Sequence, residues 1–443
     1  MNETLLTYSI NKISSLKHYY EVEKENIKQT SEKEKKKHII GAMIDNYLSL
    51  LAFSNEDLKK DEHFLWMEKE ASKFIEKIEV FKEGKSKRVS FRFLSEDIAK
   101  AVGNISEESR LYDQFEEMPD ILGSTMLIML ITRFEEFFTF FLSTLYVKYP
   151  EKYLNNQQLA FSEIQSGDIE EIKKNLVKRE VEAKMRENFK EWFKIYSSHG
   201  LSKSSFENDL VTLEEIYARR NVLVHNSGIV NASYLNSVSN SCEKEGNKLA
   251  VDENYMNSAF NTVNRIVVLM MIEASKLNKN NKDKYLKRIF VSLFNMLRSE
   301  EFAVCEPAYG ELYEKRDLNT EIKIMSKINK WICIIALRGK EEVEEEIKAF
   351  DVSALNSMFK MAKEILLENY ETANKLLEGL IKTKEILSSA IEEWPLFRWY
   401  RQSEQYSVLK LKFPEDFKLE STEIEQQNRK NLDKQEYIDS NKN

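Results

Sequence analysis

The side chains best equipped for chemistry are Arg220, Asn221 and His225, within Ala218-Arg219-Arg220-Asn221-Val222-Leu223-Val224-His225-Asn226-Ser227-Gly228. An imidazole ordinarily titrates near neutrality and can give or take a proton there. A guanidinium keeps its charge and offers a planar fork of donors to an oxyanion. With 16 arginines and 5 histidines in 443 residues, an Arg-x4-His spacing arises by chance about 0.2 times. Asn directly after the Arg, at a helix end beside Gly228, makes it rarer still. At about 100° per residue, Leu210, Leu213, Tyr217 and Val224 share one narrow arc that should face a core. Asn221 falls almost inside that arc and Arg220 on its margin, with His225 about 40° round from Asn221. Polar groups in such a place need partners. The competing reading therefore pairs Arg220 with a carboxylate such as Glu135 or Glu136, and makes His225 a hydrogen-bonded core residue.

The elements that must position these residues read as helices. Glycine and proline number only 11 and 5. Chains rich in strands need both at their many turns, so their scarcity points to an all-α protein with short connections. Residues 1 to about 83 read as two or three helices, with the charged run Ser31 to Lys37 as a solvated face or a helix start. Glu56 to Lys82 carries Phe64, Leu65, Ala71, Phe74, Ile75 and Ile78 at mostly helical spacing. Val89-Ser90-Phe91-Arg92-Phe93-Leu94 alternates and is the best strand candidate. A long apolar helix runs from Ile121 to about Lys148. Helices follow at Asp168–Tyr196, Ser205–Asn226 (stopped by Gly228) and Asn254–Leu277. Beyond the polar run Asn278 to Asp283, helices are predicted at Tyr285–Ser299, Thr320–Arg338, Ser353–Asn369 and Tyr370–Ser388. The expected division is an N-terminal helical region with a short hairpin (1–120), a helical bundle (121–277), a C-terminal helical domain (278–417) and a disordered polar tail (418–443).

At this point the motif resembles a known family. Arg-x4-6-His with a polar residue after the Arg is the signature of the HEPN superfamily of all-helical domains, which includes ribonuclease toxins and anticodon nucleases. The resemblance covers about residues 121–277, and the Arg, the polar residue and the His are all intact. It implies a metal-independent RNA endonuclease acting as a toxin or antiphage-defence effector, with no cofactor. Arg220 would meet the phosphate, His225 would transfer a proton from the last turn of its helix, where a cation is favoured, and Asn221 would orient either. The 2′-hydroxyl would attack, leaving a 2′,3′-cyclic phosphate and a 5′-hydroxyl. One histidine serves poorly as both acid and base, and in the family two domains usually pair. The resemblance therefore implies a homodimer with a composite site, and allows an antitoxin or sensor protein as a further partner. Arg219 and Asn226, which flank the motif, are expected to contact substrate, as are Lys85 and Arg88 near the strand candidate. There, Lys85, Lys87, Arg88 and Arg92 interleave with Phe91 and Phe93; an exposed basic hairpin is the plainer reading. The alternative function is a non-catalytic HEPN-like scaffold or ligand-binding module in a larger complex.

Other signatures are missing. Gly84-Lys85-Ser86 imitates the end of a phosphate-binding loop, but position 79, where the loop needs glycine, is Glu79. There is no HExxH and no GxSxG. Cys242, Cys305 and Cys333 lie far apart with no CxxC pair, which argues against zinc and for a reduced compartment. The net charge of -8 restricts any nucleic-acid contact to a local patch. The apolar run from Ile121 to Val147 carries Arg133, Glu135 and Glu136 near its middle, so a core helix is expected rather than a membrane span, and a cytoplasmic protein with it. Trp394-Pro395-Leu396-Phe397-Arg398-Trp399-Tyr400 is expected to cap a core.

Overall fold

The computed structural model describes residues 3–53, 61–83, 86–155, 168–238, 242–278, 281–316 and 318–417. Lys85 and the tail 418–443 lie outside the described residues. The fold is almost entirely helical with one small two-stranded sheet, as the glycine and proline shortage predicts. In chain order the elements are α1 (Glu3–Phe53), α2 (Glu62–Ala71), β1 (Ile75–Glu83), β2 (Ser86–Phe93), α3 (Glu96–Val102), α4 (Ile105–Lys148), α5 (Pro150–Tyr153), α6 (Ile169–Met185), α7 (Phe189–Ser197) and α8 (Glu207–His225). Then come α9 (Ala232–Ser237), α10 (Glu253–Ala274), α11 (Lys282–Arg298), α12 (Phe302–Glu314), α13 (Thr320–Arg338), α14 (Glu344–Ala349), α15 (Ser357–Leu366), α16 (Tyr370–Lys382), α17 (Ser388–Glu393) and α18 (Glu404–Lys412). No described helix is long and apolar enough to cross a membrane.

Several elements differ from the sequence expectation. α1 is one continuous helix of 51 residues, running through the charged segment Ser31 to Lys37. Ile75 and Ile78, expected on a helix, lie on β1, which pairs antiparallel with β2. The bulge between Ile75 and Lys77 lets both isoleucines face the core despite their odd spacing. α4 begins at Ile105 rather than Ile121, so position 120 falls inside a helix. Asp168–Tyr196 divides into α6 and α7, because Asn188 caps the second of them through Lys190 N. α15 starts at Ser357, capped by Asn356, whose side chain accepts from Phe359 N, rather than near Ser353.

The chain forms two compact units that alternate along the sequence, with their dividing points inside α1, α4, α8 and α10. One unit comprises residues 13–132 and 215–258. In it α1 and α4 run antiparallel, joined by Lys35–Glu116 at 2.8 Å and His38–Glu108 at 2.5 Å. Pro119 lies within α4 and has no N–H for the carbonyl of Phe115. The buried hydroxyl of Ser31 donates to that oxygen at 2.6 Å, so the helix continues without an orphaned acceptor. Ile44 and Tyr47 of α1, Phe64 and Met67 of α2, and Ile75 of β1 form one core cluster with Val102 and Ile105.

The other unit comprises residues 1–12, 133–214 and 259–443. Its centre is aromatic. Phe138 of α4 meets Phe193 edge-on at 5.0 Å, and Phe141 lies 5.7 Å from Tyr196. The α10 residues from Ile266 to Ile272 are all fully buried. The proline device recurs: Pro307 lies inside α12, and the freed carbonyl of Ala303 accepts from Arg265 at 3.2 Å. Arg265 also grips both carboxylate oxygens of Asp209, which fixes the start of α8. α15 packs on α16 as a helical hairpin. Trp394, Leu396, Phe397 and Tyr400 are buried, as expected of a core cap.

Candidate functional site

α8 carries the Arg-Asn-x-x-x-His element on its last two turns. It does not bury one continuous stripe. Leu213 and Ile216 are buried on one side, whereas Ala218 and Val222 are buried nearly opposite, in a cluster with Val230, Tyr234 and Leu249. The helix therefore changes its inward face partway along. The single arc expected from the sequence is corrected on this point: Val224 is 45% exposed, and Asn221 and His225 are both exposed. They stand one turn apart on the outer face. Neither needs a buried partner.

The helix ends where glycine allows it. Asn226 N and Gly228 N both donate to Val222 O, at 2.8 and 3.1 Å. Ser227 and Gly228 take φ of 51° and 79°. Such a left-handed pair turns the chain sharply and costs a serine about 1 kcal/mol. The chain then runs beside residues 246–249: Leu249 N donates to Gly228 O at 2.8 Å and Val230 N to Asn247 O at 2.8 Å. Asn226 Nδ2 donates to Ile229 O. Its amide is engaged in the turn.

Arg219 is likewise engaged. Its Nε donates to Glu215 Oε1 at 2.7 Å, and its guanidinium lies 4.1 Å from the centroid of the Tyr255 ring. The same carboxylate accepts from Tyr234 Oη at 2.8 Å and from Tyr255 Oη at 2.6 Å. Burial, and then the bond to Glu215, push the Tyr234 hydroxyl up to about 12. Tyr255 is raised further, again first by burial. Both phenols stay neutral and donate. Arg219 is thus part of the brace that ties α8 to α9 and α10.

Arg220 differs from Arg219. Its Nη1 donates to Asn221 Oδ1 at 3.1 Å, while its Nε is buried without a hydrogen-bond partner. No carboxylate lies within ion-pair distance of it among the described residues. Of the two glutamates named as alternatives, Glu136 is gripped by Arg133 at 2.8 and 2.9 Å. His225 likewise has no hydrogen-bond partner among the described residues. The structure therefore joins Arg220 to Asn221 directly and gives Asn221 and His225 a common exposed face. The arrangement presents a cation without a counter-ion among the described residues, an amide and an imidazole at one helix end. That set can bind an anion and exchange a proton beside it.

Arg88 stands on β2, exposed. A groove of about 300 Å³ lies beside the end of α8, lined by Leu223, Ser227, Asp120, Ser124, Lys248 and Val251 among others. Leu223 projects some 160° away from Asn221 and His225 on α8, so its part of the groove lies on the opposite side of the helix. No group of three or more metal-ligating side chains occurs among the described residues. The brace around Glu215 was missed from the sequence because its members, Tyr234 and Tyr255, are distant along the chain; only the Glu215–Arg219 spacing gave a local signal. No family model matches the chain, and neither does any curated protein or solved structure.

Proposed function

We propose that the chain is a metal-independent RNA endonuclease of the HEPN type, acting as a toxin or antiphage-defence effector. The observation that carries this reading is Arg220. A half-buried guanidinium with no carboxylate partner among the described residues, bonded to Asn221 on the helix end that carries His225, is a cation waiting for an anion. A bridging phosphate of RNA supplies that anion, and a 2′-hydroxyl supplies a nucleophile without metal. The 2′-oxygen attacks phosphorus and the bond to the 5′-oxygen breaks. His225 in its protonated form gives its proton to the departing 5′-oxygen, while Arg220 holds the developing charge on the phosphorane. The proton of the 2′-hydroxyl passes to a base, a role that a second copy of the motif fills in a homodimer. The products are a 2′,3′-cyclic phosphate and a 5′-hydroxyl. An antitoxin or sensor protein would hold such an activity in check.

The test compares growth arrest and RNA integrity for the wild type, Arg220→Ala and His225→Ala, with and without EDTA. Removing a transition-state cation is expected to cost about 10²- to 10³-fold in rate, and removing the proton donor about 10²- to 10⁴-fold. EDTA should change nothing. Cleavage unaffected by both substitutions, or abolished by EDTA, refutes the reading. A variant that stays monomeric yet cleaves at full rate refutes the composite site.

A further inference from the structure

The β1–β2 hairpin places its cations and aromatic rings differently from what their order in the sequence suggests. Six Lys or Arg and three Glu between Ile75 and Phe93 give it a net charge of +3, in a chain of -8. Ile78 faces Phe91, Val80 faces Val89 and Phe81 faces Arg88 in the antiparallel register. Residues that face one another share a side of the ribbon, and sides alternate along each strand. Phe91 and Phe93 therefore lie on the apolar side with Ile78, and pack edge-on at 5.3 Å. The base of that side, Phe93 with Ile75 and Ile78, joins the core of its unit. The opposite side carries Lys77, Glu79 and Phe81 on β1 against Arg92, Ser90 and Arg88 on β2.

On that opposite side Lys77 and Glu79 neutralise one another at 2.6 Å. Arg88 and Arg92 are exposed and have no ion-pair partner among the described residues. Phe81 is 49% exposed and, among the described residues, is not a member of that core. Directly opposed side chains have Cβ atoms about 5 Å apart, so the Phe81 ring and the Arg88 guanidinium can meet a single nucleotide. The ring offers a face for a base and the guanidinium a fork for the adjoining phosphate. An acidic peptide would satisfy the arginines but would leave a lone half-exposed phenyl ring without purpose.

We propose that this side of the hairpin binds single-stranded RNA, with Phe81 as the stacking platform and Arg88 and Arg92 as phosphate contacts. The choice of RNA rests on the ribonuclease reading above; the stacking and the charge do not. Binding is sequence-tolerant, since every base has a π-face. The earlier pairing of these cations with Phe91 and Phe93 gives way to Phe81.

The test uses the full chain with His225→Ala, so that cleavage does not consume the probe, and the fluorescence anisotropy of a short labelled oligouridine. Phe81→Ala is expected to weaken binding about tenfold, while Phe81→Tyr retains it. Arg88→Ala together with Arg92→Ala should lower the slope of log affinity against log salt by about 1.4, at about 0.7 per phosphate contact. All three sites are solvent-exposed, and an unchanged far-ultraviolet circular dichroism spectrum confirms that the variants fold. Affinity and salt slope equal to the parent, or binding of oligoglutamate in preference to oligouridine, overturns the proposal. The two readings fail separately. If hairpin variants in the His225 background cleave RNA and bind it as well as their parents do, the hairpin proposal falls while the nuclease stands. If hairpin-dependent binding persists but no RNA is cut by the wild type, the nuclease falls while the binding ribbon stands.

Discussion

Replacing Glu215 by alanine should release the C-terminal half of α8 from its surroundings. The carboxylate accepts three bonds: Arg219 Nε at 2.7 Å, Tyr234 Oη at 2.8 Å and Tyr255 Oη at 2.6 Å. The Glu215 and Arg219 side chains are only 20% and 12% exposed, so solvent replaces little of what is lost. A hydrogen bond to a charged group contributes about 1.5–3 kcal/mol, and deletion of one member strands the partners it leaves behind. Three such bonds around one atom pair are not additive. A loss of about 3 kcal/mol is therefore expected, or roughly a hundredfold in the local opening equilibrium. Amide hydrogen exchange reads it directly: protection across residues 215–258 should fall by that factor, while α13 should keep its own. Glu215→Gln keeps the shape and one acceptor, and should lose about half as much. If Glu215→Ala exchanges like the wild type in this segment, the brace does not hold the helix and the argument fails.

Ser31→Ala removes the donor that satisfies Phe115 O opposite Pro119; a loss of about 1–2 kcal/mol is expected in denaturant unfolding, and none would show that water does the same work. Gly123→Ala would drive a Cβ into Val251 O, so α4 and the segment at Val251 must part; a loss of about 3 kcal/mol or more is expected, and a stable, fully helical variant would contradict the packing. Tyr234, pushed up to about 12, and the more strongly raised Tyr255 ionise less readily folded than unfolded. Their contribution is complete below the unfolded value near 10 and is lost as pH rises through the folded values, so stability should decline above about pH 10. Tyrosinate absorbance at these two sites should appear only with unfolding, as the Tyr234→Phe and Tyr255→Phe variants would reveal by difference.

What was legible in the sequence was local chemistry. Thr320 and Arg338 bound α13 as read, because Asn319 supplies a cap and Gly339 a stop. Gly228 ends α8 for the expected reason, a positive φ. What was not legible depended on partners far along the chain. A proline inside a helix reads as a stop, yet α4 passes Pro119 because Ser31, 84 residues from Phe115, takes the freed carbonyl. α12 passes Pro307 because Arg265, on another helix, does the same for Ala303.

The motif helix shows the same limit in its most consequential form. A helical wheel assumes that a helix buries one side, and on that assumption Asn221 sits in the core. α8 instead buries Leu213 and Ile216 on one side, and Ala218 and Val222 on nearly the other. Two buried faces on one helix leave a free strip between them, and Asn221 and His225 occupy it. A buried imidazole and amide would need partners inside the protein, and their pairing would explain them fully. Exposed, they need no partner inside the protein, and Arg220 beside them has no counter-ion among the described residues. Arg219, one position earlier, shows what a structural arginine here looks like: a glutamate in reach, a tyrosine ring beneath it, and a backbone carbonyl accepting from it. Two adjacent arginines on one helix, one engaged by Glu215 and Tyr255 and one bonded, among the described residues, only to the motif's own Asn221, separate the brace from the site.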